Sequence, residues 1–518
     1  MEQFDAIIIG AGHNGLACAA ALARQKKNVL VLEAHDRIGG LSGARMFHEG
    51  YTAPGILHDT GEVRVAALDH LGTLAEGLTL DQDDHGVLVP TEDGGSFFLH
   101  ASADKTCASL RAHSESDAQA YGQWDDFITR FKPFLQKMTN RAPPPLLPEG
   151  PSDLLDMGRI GLSLRMLGRA DMMELVRVLP MCAADWLQEY FQNQALCAAL
   201  AAPPLTGTYL GPWSAGSAAL VLLRQCNLSA GVKGGPAALV TALEKSLKTA
   251  GGTLKTNARV VQIMTENERV CGVRTEDGTT YGAKTIFSGI DPRQTILGLC
   301  DAADVPLSFE DTIQCVRMRG TTAKVHLALH GLPSFSCAKD ATPPHRVRIG
   351  ESIDDVERAF DAVKYRAFSE KPQLDVWFPT LDQPDLAPAD HHVASIIVNY
   401  APHDLEGGWS DASKEALLEK VLDRLEAVAP NSRSLIVGSE VLSPSDLESE
   451  FGLTGGHIHH GEHALDQLLF MRPVPAAAQY QTPIDGLYFC GSGSHPGGGV
   501  TCAPGTLAAK TALENSSL

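Results

Sequence analysis

The sequence predicts an α/β protein: a Rossmann-like, dinucleotide-binding parallel sheet assembled from separate stretches of chain, with a discontinuous α+β second domain. Three observations predict it. The first 40 residues read as strand, glycine turn, helix and second strand. Another strand, glycine turn and helix stand at residues 485–505. Between them, helical and strand patterns come in blocks instead of strict alternation, so the chain leaves the sheet and returns to it.

Each part of the N-terminal unit has its own physical job. Ala6 to Ile9 is a short apolar run suited to a buried parallel strand. Gly10 allows the tight turn that follows, and Gly12 lets the backbone approach a pyrophosphate. His13 and Asn14 open the helix whose N–H groups face the phosphates, and Gly15 permits close helix packing. Glu33 ends the second strand, where its carboxylate can accept from a ribose diol and would repel a 2′-phosphate. With 49 glycines in 518 residues a lone GxGxxG is weak. Here the strand, helix, second strand and terminal acid fall in the right order.

The next residues are Asp36-Arg37-Ile38-Gly39-Gly40. They resemble the Arg-x-Gly-Gly extension of two-dinucleotide-binding-domain flavoproteins. That resemblance implies extended FAD as cofactor, with Arg37 near its phosphates and Gly39 and Gly40 beside it.

Composition sets bounds on class. The length suits two to four domains. A net charge of −20 argues against nucleic acid and against general attraction to an anionic bilayer. The 11 cysteines show no CxxC spacing, which suggests reduced thiols. Glu2 and Asp5 stand where a signal peptide would be basic, so the cytoplasm is the default expectation. Tyr190 to Leu223 lacks charge over 34 positions, but Pro203, Pro204 and Pro212 interrupt it. Buried core or cavity lining therefore fits better than a membrane span.

Residues 87–100 read as a hairpin turned at Asp93-Gly94-Gly95. From Asp104 to Leu223 the patterns are mostly helical, broken by a Pro-rich loop or mobile lid at Ala142 to Pro148. Gly231 to Pro236 precedes a helix over 237–250, then strand-like runs at 253–255, 259–265, 269–275 and 280–286. Further on, strands are expected at 323–329 and 393–400, and an amphipathic helix at 414–427. The expected division is an FAD-binding domain of residues 1–103, 225–292 and 455–518. The substrate domain takes 104–224, a mostly helical lid region, and 293–454.

The C-terminal signal is the strand Asp485 to Cys490 running into Gly491-Ser-Gly-Ser-His-Pro-Gly-Gly-Gly499, with a helix from about Val500. A helix dipole there can stabilise negative charge on a flavin edge. This turn resembles the C-terminal signature of the phytoene desaturase and carotenoid isomerase group of flavoproteins. Gly455-Gly-His-Ile-His-His-Gly-Glu462, Leu465 to Phe470 and Met471-Arg-Pro473 are closer to one branch, the phytoene dehydrogenase-related "pyridine nucleotide-disulphide oxidoreductase domain-containing protein 2" type. The likeness spans essentially the whole chain. One departure is Ser214-Ala215-Gly216, where relatives commonly carry a Pro before the Gly. The resemblance implies that Gly491, Ser492, Gly499, Val500 and Thr501 meet the flavin side of FAD, and that the backbone near Val260 meets the adenine.

Chemistry follows in outline. No Cys-x4-Cys follows the first helix, which removes disulfide reduction. No second GxGxxG follows a strand, so an NAD(P)H domain is not expected. The expected enzyme is an FAD-dependent oxidoreductase of the desaturase type, moving hydride between a lipophilic, isoprenoid or fatty-acyl-like substrate and the flavin. Oxygen, a quinone or free FAD turnover would reset it. Alternatives are a reduced-flavin isomerase, an amine-oxidase-like enzyme, and a prenyl-binding escort protein without turnover. His457, His459, His460 and Glu462 are the acid–base candidates, with Arg472 as an anchor for a carboxylate or the flavin region, or as one partner of an ion pair inside the core. A structural role fits the same histidines, and no metal site is expected because helical ligand spacing is missing. Arg159, Arg165 and Arg169 lie among Ile160, Leu162, Leu164, Met166 and Leu167, a pattern compatible with peripheral membrane contact or a solvated face. A homo-oligomer is compatible with the sequence as well.

Overall fold

The computed structural model describes every residue except 147–149, 339–341 and 516–517. Its centre is a five-stranded parallel sheet, in spatial order Leu487–Phe489, Ile286–Ser288, Ala6–Ile9, Val29–Leu32 and Thr253–Lys255. The central strands Ala6–Ile9 and Val29–Leu32 read as unbroken apolar runs because both faces are covered. On one face Ala6, Ile8, Val29 and Val31 meet the helices His13–Arg24, Gly235–Thr249 and Ala503–Glu514. On the other, Ile7, Ile9, Leu30 and Leu32 meet a second, smaller sheet through Val260, Ile263, Val270 and Val273. Alternation along each strand sends successive side chains to opposite layers.

The smaller sheet orders Glu2–Phe4, Thr280–Ala283, Arg269–Thr275 and Val260–Glu266. The single strand expected over 280–286 is two strands. Thr280–Ala283 belongs to this sheet and Ile286–Ser288 to the parallel one, with Lys284 and Thr285 carrying the chain between layers.

A seven-stranded sheet forms the floor of the region expected to be the substrate domain, in order Ile436–Leu442, Thr322–Leu329, His392–Asn399, Leu374–Trp377, Arg346–Ile349, Val87–Pro90 and Ser96–Leu99. This corrects the expected division. The 87–100 hairpin, assigned to the FAD-binding domain with residues 1–103, is the edge of the substrate sheet, where Leu88 pairs with Val347. Leu88, Val89 and Phe97 are fully buried there, and local turn chemistry carries no signal of which sheet a hairpin joins. Arg45–His48 also turns towards this sheet, with Arg45 donating to Glu440 at 2.7–3.0 Å.

Helices over 103–227 form a layer around Trp124, Phe127, Phe131 and Trp186. The uncharged segment supplies Gln194–Leu205, buried against the substrate sheet, where Arg348 Nη1 donates to the Ala199 carbonyl at 2.8 Å. Residues 142–146 of the Pro-rich stretch are irregular; Leu147 and Pro148 lie outside the described residues. Gln479 Nε2 donates to the Pro143 carbonyl at 3.1 Å, tying that loop down. Among the described residues no helix is long and apolar enough to cross a membrane.

Candidate functional site

The N-terminal strand ends at Gly10, whose φ of +92° few side-chain-bearing residues tolerate. A Cβ on Gly15 would overlap the Gly10 carbonyl oxygen, whereas one on Gly12 would meet nothing within 4 Å. The first glycine turns the chain, the third lets the helix close on the turn, and the middle one leaves the backbone open to a ligand. Glu33 is buried, and its two carboxylate oxygens accept from the N–H groups of Ala11 at 2.8 Å and His35 at 3.0 Å. Its remaining lone pairs face a cleft beside the glycine turn.

That cleft gathers most of the residues expected around a dinucleotide: Gly10, Gly12, His13, Asn14, Gly15, Glu33, Gly39, Gly40, Val260 and Ser492. Gly499, Val500 and Thr501 line an adjoining cavity, and Leu57 and Ile458 border both spaces. Gly491 stands behind them, close against the backbone of Gly289. Arg37 lies elsewhere. It is exposed and ion-paired to Glu450, which also pairs with Arg45, so its guanidinium is committed outside the cleft. That partner is 413 residues away in sequence.

Two side chains stitch the halves together. His13 Nε2–H donates to the Gly499 carbonyl at 3.1 Å, and its Nδ1 accepts from Ser42 Oγ at 3.0 Å. Asn14 Nδ2 donates to Ser492 Oγ at 3.1 Å. Asn14 Oδ1 is buried without a hydrogen-bond partner, as is His460 Nδ1 on the same cleft. An acid at the ribose position, an open glycine at the phosphate position and unspent polar atoms between them fit FAD. The C-terminal helix begins at Ala503, three residues beyond the expected Val500, because Cys502 takes a left-handed conformation at its cap.

The histidine loop divides. His459 and His463 line the adjoining cavity, stacked at 4.5 Å, and His459 Nε2 is tied to the Thr206 carbonyl at 2.9 Å. His460 lines the nucleotide cleft. His457 lines neither; its Nδ1 accepts from the N–H groups of His459 and Gly461 at 3.2 and 3.4 Å. Burial pushes His459 and His460 down to about 4, and His457 well below its usual value, so all three are neutral at pH 7. Arg472, expected with the acid–base residues, has a different job. Its guanidinium donates to the carbonyls of His459, Gly461, Glu462, Gln467 and Ser492 at 2.6–3.3 Å and is 1 % exposed. It clamps this loop to the glycine turn and leaves no donor for substrate. Among the described residues the 457–462 loop gathers no set of three metal-ligating atoms.

The adjoining cavity is half apolar and half ionic. Leu57, Pro203, Pro204, Leu220, Leu223, Ile397, Leu468 and Leu469 make one part of its wall. The other part holds His58, Asp59, Glu62, Arg224, Arg346 and Asp375. Arg224 pairs with Asp59 and, at 2.9 Å, with Glu62; Arg346 pairs with Asp375 at 2.6 Å. Arg346 and Arg348 hold the Asp375 carboxyl well below the usual carboxylate range against its burial. Behind them Lys324 Nζ sits 3.0 Å from His58 Nδ1, and His58 Nε2 is 3.5 Å from Asp375 Oδ1. Burial holds Lys324 far below the ordinary lysine value and His58 down to about 3.

None of this ionic wall is anticipated by sequence motifs, which lead instead to a slot with few polar groups. One signal was present. Lys324 and His326 interrupt Thr322 to Leu329, an otherwise uncharged strand-like run that is buried throughout. A charge in a strand that must be covered on both faces needs a partner or a function.

Comparison with known proteins agrees with this geometry. The model of the family described as flavin containing amine oxidoreductase matches residues 15–509. The chain is 31 % identical to rat (Rattus norvegicus) pyridine nucleotide-disulfide oxidoreductase domain-containing protein 2, over 98 % of this chain and 93 % of that one. It is 24 % identical to a lycopene-forming phytoene desaturase of a Paracoccus species, over 99 % and 97 %. A solved structure of putrescine oxidase bound to putrescine shares the fold, with TM-score 0.61 and 16 % identity over 100 % of this chain and 99 % of that chain. The chain belongs to the flavin-containing amine oxidoreductase family, with phytoene desaturases among its relatives, and is an FAD-dependent oxidoreductase.

Proposed function

We propose that this protein dehydrogenates a lipophilic substrate, drawing hydride from a substrate carbon and passing the electrons to oxygen or a quinone. The lining of the cavity beside Gly499 to Thr501 carries this reading. Its free surface is mostly aliphatic, its carboxylates are each paired with an arginine, and none of its lining residues is Phe, Tyr or Trp. An ammonium substrate would be held by aromatic faces or an unpaired carboxylate. A hydrocarbon needs only an apolar wall. The relative named for phytoene desaturation acts on a substrate of that kind.

Bound FAD supplies the two-electron acceptor. The chain supplies the rest. Leu57 and Ile458, which border both spaces, would hold substrate carbon against the flavin-side turn. Removing hydrogen across a carbon–carbon bond also releases a proton. His58, which lines the cavity and is held neutral beside neutral Lys324, is the base we assign to that proton.

The test is anaerobic flavin reduction by the purified FAD-loaded protein. Terpenoid and fatty-acyl candidates should bleach the flavin band, and putrescine and other amines should not. Rapid bleaching by amines alone would replace this reading with amine oxidation. A chain that stays colourless after reconstitution would favour an escort role.

Exposed Leu154, Leu155, Leu162 and Met166, with Arg159 and Arg165 on the same helix, support peripheral contact with anionic lipid, where such substrates partition. Flotation with anionic but not neutral vesicles is the expected result; no flotation with either would refute the contact.

A further inference from the structure

A second cavity opens between the helices His13–Arg24 and Ala503–Glu514 of the nucleotide half and the segment Val63–Leu71. It is the larger of the two, with about 1910 Å³ of empty space against about 1060 Å³ beside the flavin-side turn. Its apolar lining includes Val63, Ala67, Leu71, Ala503, Leu507 and Leu513. Its charged and titratable lining is Arg24, Arg64, His70 and Lys510, with no carboxylate among them. In a chain of net charge −20 a lining whose formal charges, Arg24, Arg64 and Lys510, are all positive is a local reversal of sign.

These cations are largely unspent. Among the described residues no carboxylate lies within ion-pair distance of Arg24, Arg64 or His70, and Lys510 has only Glu514 at 3.8 Å, one turn away on its own helix. Arg24, His70 and Lys510 are exposed at the surface. Arg64 lies deeper, half-buried. Its Nη1 donates to the carbonyls of Glu62 at 3.0 Å and Asn227 at 3.4 Å, and its Nε is buried with no partner. Arg64 and Asn227 line this cavity and the reaction cavity alike, so this pair is the partition between them.

We infer that the groove is a binding site for an anionic amphiphile, a long-chain carboxylate, and the vestibule through which its tail reaches the flavin. The exposed cations hold the carboxylate at the mouth, the aliphatic floor takes the chain, and the tail enters past Arg64 and Asn227. Charge and apolar area together select this ligand: an alcohol of equal length lacks the first interaction and an alkylammonium opposes it. The delivery step rests on the hydride-transfer reading, whereas binding in the groove does not.

Laurate, 1-dodecanol and dodecylammonium, each below its aggregation threshold, would be titrated by calorimetry into the FAD-loaded full chain. Laurate should bind at one site at least tenfold more tightly than the other two. Arg24→Glu with Lys510→Glu, both on the surface, should weaken laurate at least tenfold at unchanged flavin content. Equal affinity for the three ligands, or unchanged laurate affinity in the double variant, would overturn the site. Laurate should also shift the flavin absorption band as its tail displaces water, and Ala67→Trp, which plugs the groove, should abolish the shift. A band unmoved at saturating laurate would overturn the route. Hydride transfer is not read in any of these measurements, so failure of the dehydrogenase proposal would show separately, as the lack of bleaching.

Discussion

The nucleotide cradle and the reaction cavity lie side by side, share Leu57 and Ile458, and are built on opposite plans. The cradle is made of backbone. Its glycines, its strand ends and its one acid perform their roles through N–H groups, turns and close approach. The cavity is made of side chains drawn from segments near residues 58, 203, 224, 346, 375 and 397, and each carboxylate in it is paired with an arginine from another segment. Substitutions in the cradle should therefore act on cofactor retention, and substitutions in the cavity wall on stability and on chemistry.

The largest effect is expected where the backbone has no room. In Gly15→Val the new Cβ would overlap the Gly10 carbonyl, which the turn cannot move without losing its register. Purified protein should be colourless or insoluble. A soluble, fully flavin-loaded Gly15→Val variant would show that the cradle yields more than its geometry suggests.

Acid should separate the buried histidines from the buried carboxylates. Burial lowers His13, His460 and His495 on the cradle and its C-terminal turn, and His459 on the cavity side, to about 4. In the unfolded chain each titrates near 6.5. Their contribution is complete above about 6.5 and is lost as pH falls towards 4, because the unfolded chain binds protons that the folded chain refuses, at up to about 1.4 kcal/mol per unit for each histidine. The cavity carboxylates Asp59 and Asp375 are depressed instead, so their contribution persists until the pH falls below about 4. Melting temperature should fall steeply between pH 6.5 and 5, and His460→Gln should flatten the slope. A flat profile there would place charged histidines in the folded cradle.

The two plans explain what could be read in the sequence. Gly10 to Gly15, Glu33 and Gly491 to Gly499 were legible because the roles of glycine and of a strand-end acid are local, and a short window contains the whole reason for each. The 87–100 hairpin was legible as a hairpin, yet its sheet was not, since edge pairing with Arg346–Ile349 is a tertiary fact. Arg472 looked like a catalytic cation because its charge is written in the sequence and the five carbonyls it satisfies are not. The ionic wall was hidden for the same reason. Asp59, Arg224, Arg346 and Asp375 are ordinary surface residues until the fold buries them together.

Breaking that wall should cost less than breaking the cradle, but still several kcal/mol. Asp375→Asn removes the countercharge of Arg348 at 3.4 Å and the nearer one of Arg346 at 2.6 Å, leaving Arg346 only Asp59 at 3.6 Å. Loss of one partner of a buried pair typically costs about 3–5 kcal/mol. Denaturant unfolding should show a loss of that order with the flavin still bound, since no cradle residue contacts the pair. A loss below about 1 kcal/mol would mean that water reaches and screens the cluster.

The smallest effect discriminates most sharply between motif and structure. Arg37 belongs to the Arg-x-Gly-Gly extension that implied a phosphate contact, yet its side chain is 44 % exposed and paired with Glu450 outside the cleft. Arg37→Ala should cost less than about 1 kcal/mol, the usual worth of an exposed ion pair, and leave flavin content unchanged. Two residues on, Gly39 has a φ of +101°, and a Cβ there would meet Gly43 Cα at 2.6 Å and Val240 at 3.1 Å, so Gly39→Ala should lose flavin. If Arg37→Ala sheds FAD as readily as Gly39→Ala does, the guanidinium swings to the phosphates when cofactor binds, and the Glu450 pair is its resting position. If only Gly39→Ala does, the motif acts here through its glycines alone.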